Sequence, residues 1–310
     1  MPQYPNPTTR RFTFLGTGTS QGVPVIGCTC AVCTSDDPRD NRLRCSALIS
    51  IDNQGITTNT VIDAGPDFRQ QLLRTKVHQL DAILFTHEHS DHTAGIDDVR
   101  PFNFRQKRAM PLYATPSVQT ALKARFDYAF AENPYPGAPQ LELITINKND
   151  VITINNCSIQ PIEIMHGSLP ILGFRFDTLT YITDCKTIDN QEFEKIRGTK
   201  ILILDALHHN EHHAHLNLRE ALDIVAEVKP ERAYFIHCSH HIGKAADINP
   251  TLPEGVELAY DGLSFLFWFL LTPLQGLFHK QIKNCHREFY TTTILNMNLS
   301  VTFTRFLDFT

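Results

Sequence analysis

The chain has 310 residues, 42% hydrophobic and 20% charged, enough for a sizeable core in one large domain or two small ones. A net charge of −5 and a pI near 6.3 show none of the basic bias of a broad nucleic-acid footprint. Eight cysteines in so long a chain do not make a disulfide scaffold, and the opening MPQYPNPTTRRF has no apolar signal-peptide core. The expected location is therefore a reducing cytoplasm, where clustered cysteines more often bind metal.

Residues 11–18, 46–51, 59–65 and 82–87 read as strands ended by Gly or polar turns. Between the last two, PDFRQQLLRTKV at 66–77 begins with Pro at a first turn and reads as a helix. Gly16 and Gly18 in FLGTG are turn glycines, since the stretch lacks both the GxGxxG spacing and a Walker lysine. A second helix over 117–130 precedes the loop ENPYPGAP, and strand-like runs resume at 141–147, 151–164, 172–183 and 201–207. In LNLREALDIVAEV, 216–228, the apolar residues Leu218, Ala221, Leu222, Val225 and Ala226 fall on one helical face. Asn217 and Glu220 have the spacing of a reciprocal cap. AYFIH at 233–237 and VELAYDG at 256–262 complete two sets of strands alternating with helices, the pattern of a layered α/β domain.

The composition changes after residue 263, where LSFLFWFLLTPLQGLF leads into an Asn/Thr/Phe-rich tail. Its apolar run is shorter than the roughly 20 residues a membrane-spanning helix needs, and Pro273 interrupts it. The expected division is a domain over 1–263 and a tail over 264–310 that is not part of the fold.

THEHSDH, 86–92, leaves an apolar strand with His87, His89, Asp91 and His92 close together. The spacing lets His87 and His89 serve one metal and Asp91 and His92 a neighbour, and the imidazole–carboxylate mixture suits zinc, manganese or iron. HxHxDH after a hydrophobic strand resembles the signature of the metallo-β-lactamase fold superfamily. The rest of that pattern follows in order: Asp63 in VIDAG, His166 in IMHGS, Asp184 in YITDC and His237 in FIHCSH. The resemblance implies a four-layer αββα sandwich with the site at one edge. It gives His87, His89 and His166 to one metal and Asp91, His92 and His237 to a second. Asp184 bridges the two, and Asp63 orients the loop from behind. Two such ions generate a hydroxide at neutral pH and clamp both oxygens of an in-line displacement, which suits a phosphodiester.

GCTCAVC, 27–33, places Cys28, Cys30 and Cys33 together, one ligand short of a structural zinc site. Within the superfamily this CxCxxC, and the run GTGTSQGVPVIGCTCAVC around it, resembles the phosphoribosyl 1,2-cyclic phosphate phosphodiesterases of PhnP type. By that resemblance the fourth ligand is His240, three residues after His237, and the knot holds one structural zinc beside two catalytic ions, zinc or manganese. In HHNEHHAHLN, 208–217, the resemblance assigns the proton donor to His213, with Asp91 also part of the catalytic machinery. His215 stands where a carboxylate is expected, and His208, His209 and His212 are extra. Arg100 in DDVRPFNFRQKR is a candidate for holding a substrate phosphate through a bidentate fork. Cys185 and Cys238 adjoin metal ligands and are read as ordinary thiols, as are Cys45, Cys157 and Cys285.

The expected partner is a small phosphate ester, with no stable nucleic-acid or membrane partner and a homodimer left open. A tRNase Z-like nuclease shares HxHxDH but needs a long Gly/Pro-rich basic arm, which is not visible. A protein like coenzyme PQQ synthesis protein B shares the CxCxxC and need not be a hydrolase. A metal-binding scaffold without catalysis fits the full ligand set less well, because structural sites are coordinatively closed.

Overall fold

The computed structural model describes residues 8–267 apart from 54 and 156. Strands β1 (Thr9–Gly16), β2 (Ser46–Asn53) and β3 (Ile56–Ile62) pair antiparallel. Helix α1 (Phe68–Thr75) leads to β4 (Ala82–Leu84), which lies parallel to β3. Two short helices, α2 (Ser90–Thr93) and α3 (Arg100–Gln106), precede β5 (Met110–Ala114). Helix α4 (Pro116–Arg125) then connects it to the parallel β6 (Leu141–Thr145).

The second sheet repeats this plan. Strands β7 (Ile152–Ile154), β8 (Cys157–His166), β9 (Leu169–Phe176) and β10 (Leu179–Tyr181) pair antiparallel. After α5 (Asn190–Glu194), strand β11 (Ile201–Asp205) runs parallel to β10. It is followed by α6 (Leu218–Val228), β12 (Arg232–Ile236), α7 (Ala245–Ile248) and β13 (Val256–Leu258), with β11, β12 and β13 parallel. The last described strand, β14 (Ser264–Phe267), returns to the first sheet and pairs with β1. The two seven-stranded orders are β14-β1-β2-β3-β4-β5-β6 and β13-β12-β11-β10-β9-β8-β7.

Alternation along each strand decides what it buries. In β11, Ile201 and Ile203 face the other sheet while Leu202 and Leu204 face helices. Both faces are covered, so the run reads as continuously apolar. Between the sheets lie Phe12, Phe14, Phe174, Phe176, Tyr181 and Tyr234. Phe68, Phe102, Val118 and Leu122, from α1, α3 and α4, cover the first sheet, and Leu218 and Ala221 of α6 cover the second. These are the four layers expected. The reciprocal cap of α6 forms, with Glu220 N–H donating to Asn217 Oδ1 and Asn217 N–H to Glu220 Oε2, each at 2.9 Å.

Three sequence expectations change. The run 151–164 splits into β7 and β8 at Asn155, and 172–183 splits into β9 and β10 at Asp177, both with left-handed backbones at φ 44° and 57°. The boundary after residue 263 falls short, because residues 264–267 form β14. Phe267 is buried in the inter-sheet core, and Phe265 stacks on Phe12 at 5.5 Å and on Tyr234 at 5.0 Å. The rest of the predicted tail lies outside the described residues. Among those described, no helix is long and apolar enough to cross a membrane.

This packing sets where the chain can be shortened. Truncation after residue 268 is expected to leave a cooperative thermal transition intact, whereas truncation after Leu263 removes an edge strand and two packed rings. Phe267→Ala alone should cost about 3–5 kcal/mol, a fall in Tm of roughly 10 °C for a chain of this size. Equal melting of the two truncations would show that β14 contributes nothing.

Candidate metal centre

The strand ends along one edge of the sandwich carry the chemistry. Asp63 follows β3, His87 and His89 follow β4, and α2 carries Asp91 and His92. His166 ends β8, Asp184 follows β10, Asp205 ends β11 and His237 follows β12. Asp63, Asp184 and His237 turn off their strands in the left-handed region, at φ 62°, 56° and 54°.

Donor atoms converge in overlapping groups whose members lie within 4.8 Å of one another: His87, His89 and His166; Asp91, His92 and His237; and His87, His92 and Asp184. Asp184 sits between them, with Oδ1 3.1 Å from His237 Nε2 and Oδ2 3.3 Å from His92 Nε2. Burial opposes ionisation of Asp184, yet His237, His92 and His87 hold it well below the usual carboxylate range. Burial pushes the His87 imidazole well below its ordinary value and His237 down to about 4, so both favour the neutral form that ligates metals.

The outer nitrogens show whether a cation fits. His92 Nδ1 lies 2.7 Å from Asp63 Oδ2 and, facing a carboxylate, donates. Thr86 donates its hydroxyl proton to the same oxygen, Asp63 Oδ2, at 2.8 Å, and its oxygen therefore accepts from His87 Nδ1 at 2.9 Å. His166 Nδ1 donates to the Ala214 carbonyl at 2.9 Å. In its neutral form each of these rings has its proton on Nδ1 and its lone pair on Nε2; burial opposes a charge on His92, but Asp184 and Asp63 outweigh it and raise its pKa well above the ordinary value. The Nε2 atom of His87 is buried without a hydrogen-bond partner among the described residues, a costly arrangement that a divalent cation would satisfy, and His92 Nε2 faces the carboxylates of Asp91 and Asp184 at 3.2 and 3.3 Å. The donor set fits such ions.

The cysteine knot has a similar logic. Cys28, Cys30 and Cys33 place their sulfurs 3.3, 3.4 and 3.4 Å from His240 Nδ1. The Cys33 N–H directed at its sulfur and the neighbouring His240 push the Cys30 thiol down to about 6, so it is readily a thiolate. His240 begins a short 3₁₀ turn, His240–Ile242, three residues beyond His237.

Two sequence choices lie outside the donor groups. Arg100 pairs with Asp97, donating from Nε to its carbonyl at 3.1 Å and from its guanidinium to its carboxylate. It does not line the cavity at the metal edge. His213 lines that cavity but belongs to no donor group. His215 does, with His166 and Asp184. Its Nδ1 is 3.7 Å from the buried Asp205 Oδ2, and its ring stacks on His237 at 4.8 Å. Burial works against protonating His215, but Asp205 and Asp184 outweigh it and raise its pKa. The Asp205–His215 pair was missed. Its signal is an acidic residue ending the apolar strand ILILD, the same placement as Asp63 after VI. Ser20, also unpredicted, reaches the cavity from the GTGTSQG turn. Cys185 and Cys238 are fully buried, with sulfurs directed at the carbonyls of Thr187 and Ile236.

The profile of the Beta-lactamase superfamily domain matches residues 58–238. An octanoyltransferase of Porphyromonas gingivalis is 37% identical over 254 residues, 82% of this chain, and the chain spans 51% of that protein's length. A crystal structure described as a new diphosphatase from the PhnP family superposes with a TM-score of 0.78 at 39% identity, covering 85% of this chain and 99% of that one. Zn(2+)-bound PqqB from Methylobacterium extorquens shares the fold, with a TM-score of 0.63 at 18% identity over 82% of this chain and 99% of that one. With more than half of its length matched, the chain belongs to the β-lactamase superfamily, has the metallo-β-lactamase fold and is similar in structure to the PhnP-family diphosphatase.

Proposed function

We propose that the protein is a metal-dependent phosphodiesterase that hydrolyses a small cyclic phosphate ester such as 5-phosphoribosyl 1,2-cyclic phosphate. The observation that carries this reading is the set of inward-facing Nε2 lone pairs around a shared buried carboxylate, Asp184. His87, His89 and His166 would hold one divalent ion, and Asp91, His92 and His237 a second. Cys28, Cys30, Cys33 and His240 would hold a structural zinc. A catalytic pair of ions, zinc or manganese, supplies Lewis-acid charge and a nucleophile at neutral pH.

The chain's own residues do the remaining work. Asp63 and Thr86 fix the rings of His92 and His87. His215, backed by Asp205, is placed to protonate the leaving oxygen, the role first assigned to His213. A cavity of about 250 Å³ at the metal edge suits a small ester better than a folded nucleic acid.

The diphosphatase relative favours a second reading, cleavage of a diphosphate linkage. An octanoyl substrate is disfavoured, because Ala214 is the sole apolar side chain among the described residues lining the cavity. Metal-loaded protein should turn over bis(p-nitrophenyl) phosphate and the ribosyl cyclic phosphate. Turnover of a diphosphate-linked dinucleotide alone would establish the second reading in its place.

Metal analysis should find about three ions per chain, one of them resistant to mild chelation. The triple change Cys28→Ser, Cys30→Ser, Cys33→Ser should release that ion and lower Tm, because bound metal stabilises the fold that organises it. Unchanged zinc content and melting would reject the knot as a metal site.

His215→Ala should keep the metals and slow a poor alkoxide leaving group by about 10²–10⁴-fold, the usual worth of general acid catalysis. It should slow p-nitrophenolate departure far less, since that group leaves unprotonated. His213→Ala should leave this ratio unchanged. A leaving-group-dependent loss confined to His213→Ala would return the role to His213, and metal loss in His215→Ala would make His215 a ligand.

A further inference from the structure

No Arg or Lys is among the described residues lining the metal-edge cavity, although the proposed substrate is a phosphate. Three hydrogen-bonding side chains line it without belonging to a donor group: Ser20, His212 and His213. Of these, His212 has a defined ring state. The N–H of Ala214 donates to His212 Nδ1 at 3.2 Å. A ring nitrogen that accepts a hydrogen bond carries no proton, so this imidazole is neutral with its proton on Nε2.

The same residue sets His166 the opposite way, because the Ala214 carbonyl accepts a hydrogen bond from His166 Nδ1–H at 2.9 Å. One backbone residue thus sorts two imidazoles at the cavity. His166 keeps an inward lone pair, suited to a cation, and His212 is left with an N–H, suited to an anion. A ring whose Nε2 carries the proton cannot ligate a metal through that atom, and a neutral ring with one N–H is a hydrogen-bond donor and not a general acid. His208 shows the same arrangement four residues earlier in the chain. The Asn210 N–H donates to its Nδ1 at 3.2 Å, and its ring lies 6.1 Å from that of His212.

We propose that His212 is a substrate-binding residue whose Nε2–H donates to a phosphoryl oxygen, in the place that a guanidinium would otherwise fill, with its tautomer fixed by the Ala214 N–H. The proposal rests on the phosphate-ester reading and deepens it: the substrate presents an anionic oxygen on the His212 side of the metals.

Two variants test it. His212→Leu removes the donor, and His212→Gln supplies an amide N–H at similar reach. Inorganic phosphate is titrated calorimetrically into zinc- or manganese-loaded protein, with metal content measured on each sample. Steady-state kinetics use bis(p-nitrophenyl) phosphate. A hydrogen bond to a charged group is worth about 1.5–3 kcal/mol, so His212→Leu should weaken phosphate binding by about 10–100-fold without metal loss. The loss in turnover should fall on KM and not on kcat, and His212→Gln should recover most of both. Unchanged phosphate affinity in His212→Leu overturns the proposal. So does loss of a metal ion, which would make His212 a ligand, or a loss confined to kcat, which would mean that it acts on the chemical step and not on binding. If the wild type binds phosphate but hydrolyses no phosphodiester, the functional reading fails while the titration still decides the role of His212.

Discussion

A neutral imidazole has one proton and one lone pair, and whatever faces its outer nitrogen decides which of them points inward. The metal edge is organised by that constraint. A carboxylate behind His92, a hydroxyl behind His87 and a carbonyl behind His166 all accept hydrogen bonds, so each ring, when neutral, turns its lone pair toward Asp184. Asp63 anchors two of the three, the first directly and the second through Thr86. Its own position depends on a left-handed turn at the end of β3. Asp184 and His237 are set by equivalent turns on the other sheet. Such backbones cost on the order of 1–3 kcal/mol each outside glycine, although Asp and His adopt them more readily than most residues. Glycine would relieve the strain and remove the side chain the turn exists to aim. The strain is held by two sheets packed face to face on an aromatic core.

How much of this was legible in the chain depends on what kind of information each part needed. The layers were legible because β4 and β11 are buried on both faces and α6 carries an apolar stripe with its own cap. His87, His89, Asp91 and His92 were legible because six consecutive residues at a strand exit cannot lie far apart. His166, Asp184 and His237 followed from their positions at strand ends, once the resemblance supplied the order. His240 is over 200 residues from Cys33, and only the resemblance paired it with the thiols. Side-chain direction in irregular backbone was not legible. His213 and His215 lie on one loop with no period to say which approaches the ligands, and both line the cavity, so sequence alone could not choose between them. Arg100 failed for a related reason. The turn placing Asp97 three residues before it was not read, and a local ion pair took the guanidinium. At the end of the domain, a change in composition concealed four residues that still alternate as a strand.

The knot and the metal edge are neighbours through the backbone as well as in space. His240 follows His237 by one short turn, and the loop carrying Cys28, Cys30 and Cys33 begins just beyond Ser20, which reaches the cavity. Asp40 reinforces this contact, accepting from Ser35 Oγ at 2.6 Å and from the Ala245 N–H at 2.8 Å. The N-terminal loop is thereby fastened to the segment after β12 on both sides of His240. Order in the loop that bears Ser20 is therefore tied to order around His237.

Strand β14 lies on β1 with Arg10 opposite Phe267, which brings the first and last described strands together at one edge of one sheet. The path from residue 9 to residue 267 consequently forms a nearly closed ring. A domain with that topology can be spliced into a loop of a host polypeptide, entering and leaving through a narrow gap, without either neighbour being stretched. The same closeness makes circular permutation of residues 9–267 geometrically simple: a short linker across the β1–β14 edge would join residue 267 to residue 9, and new ends could open in an exposed loop on the side remote from the metals.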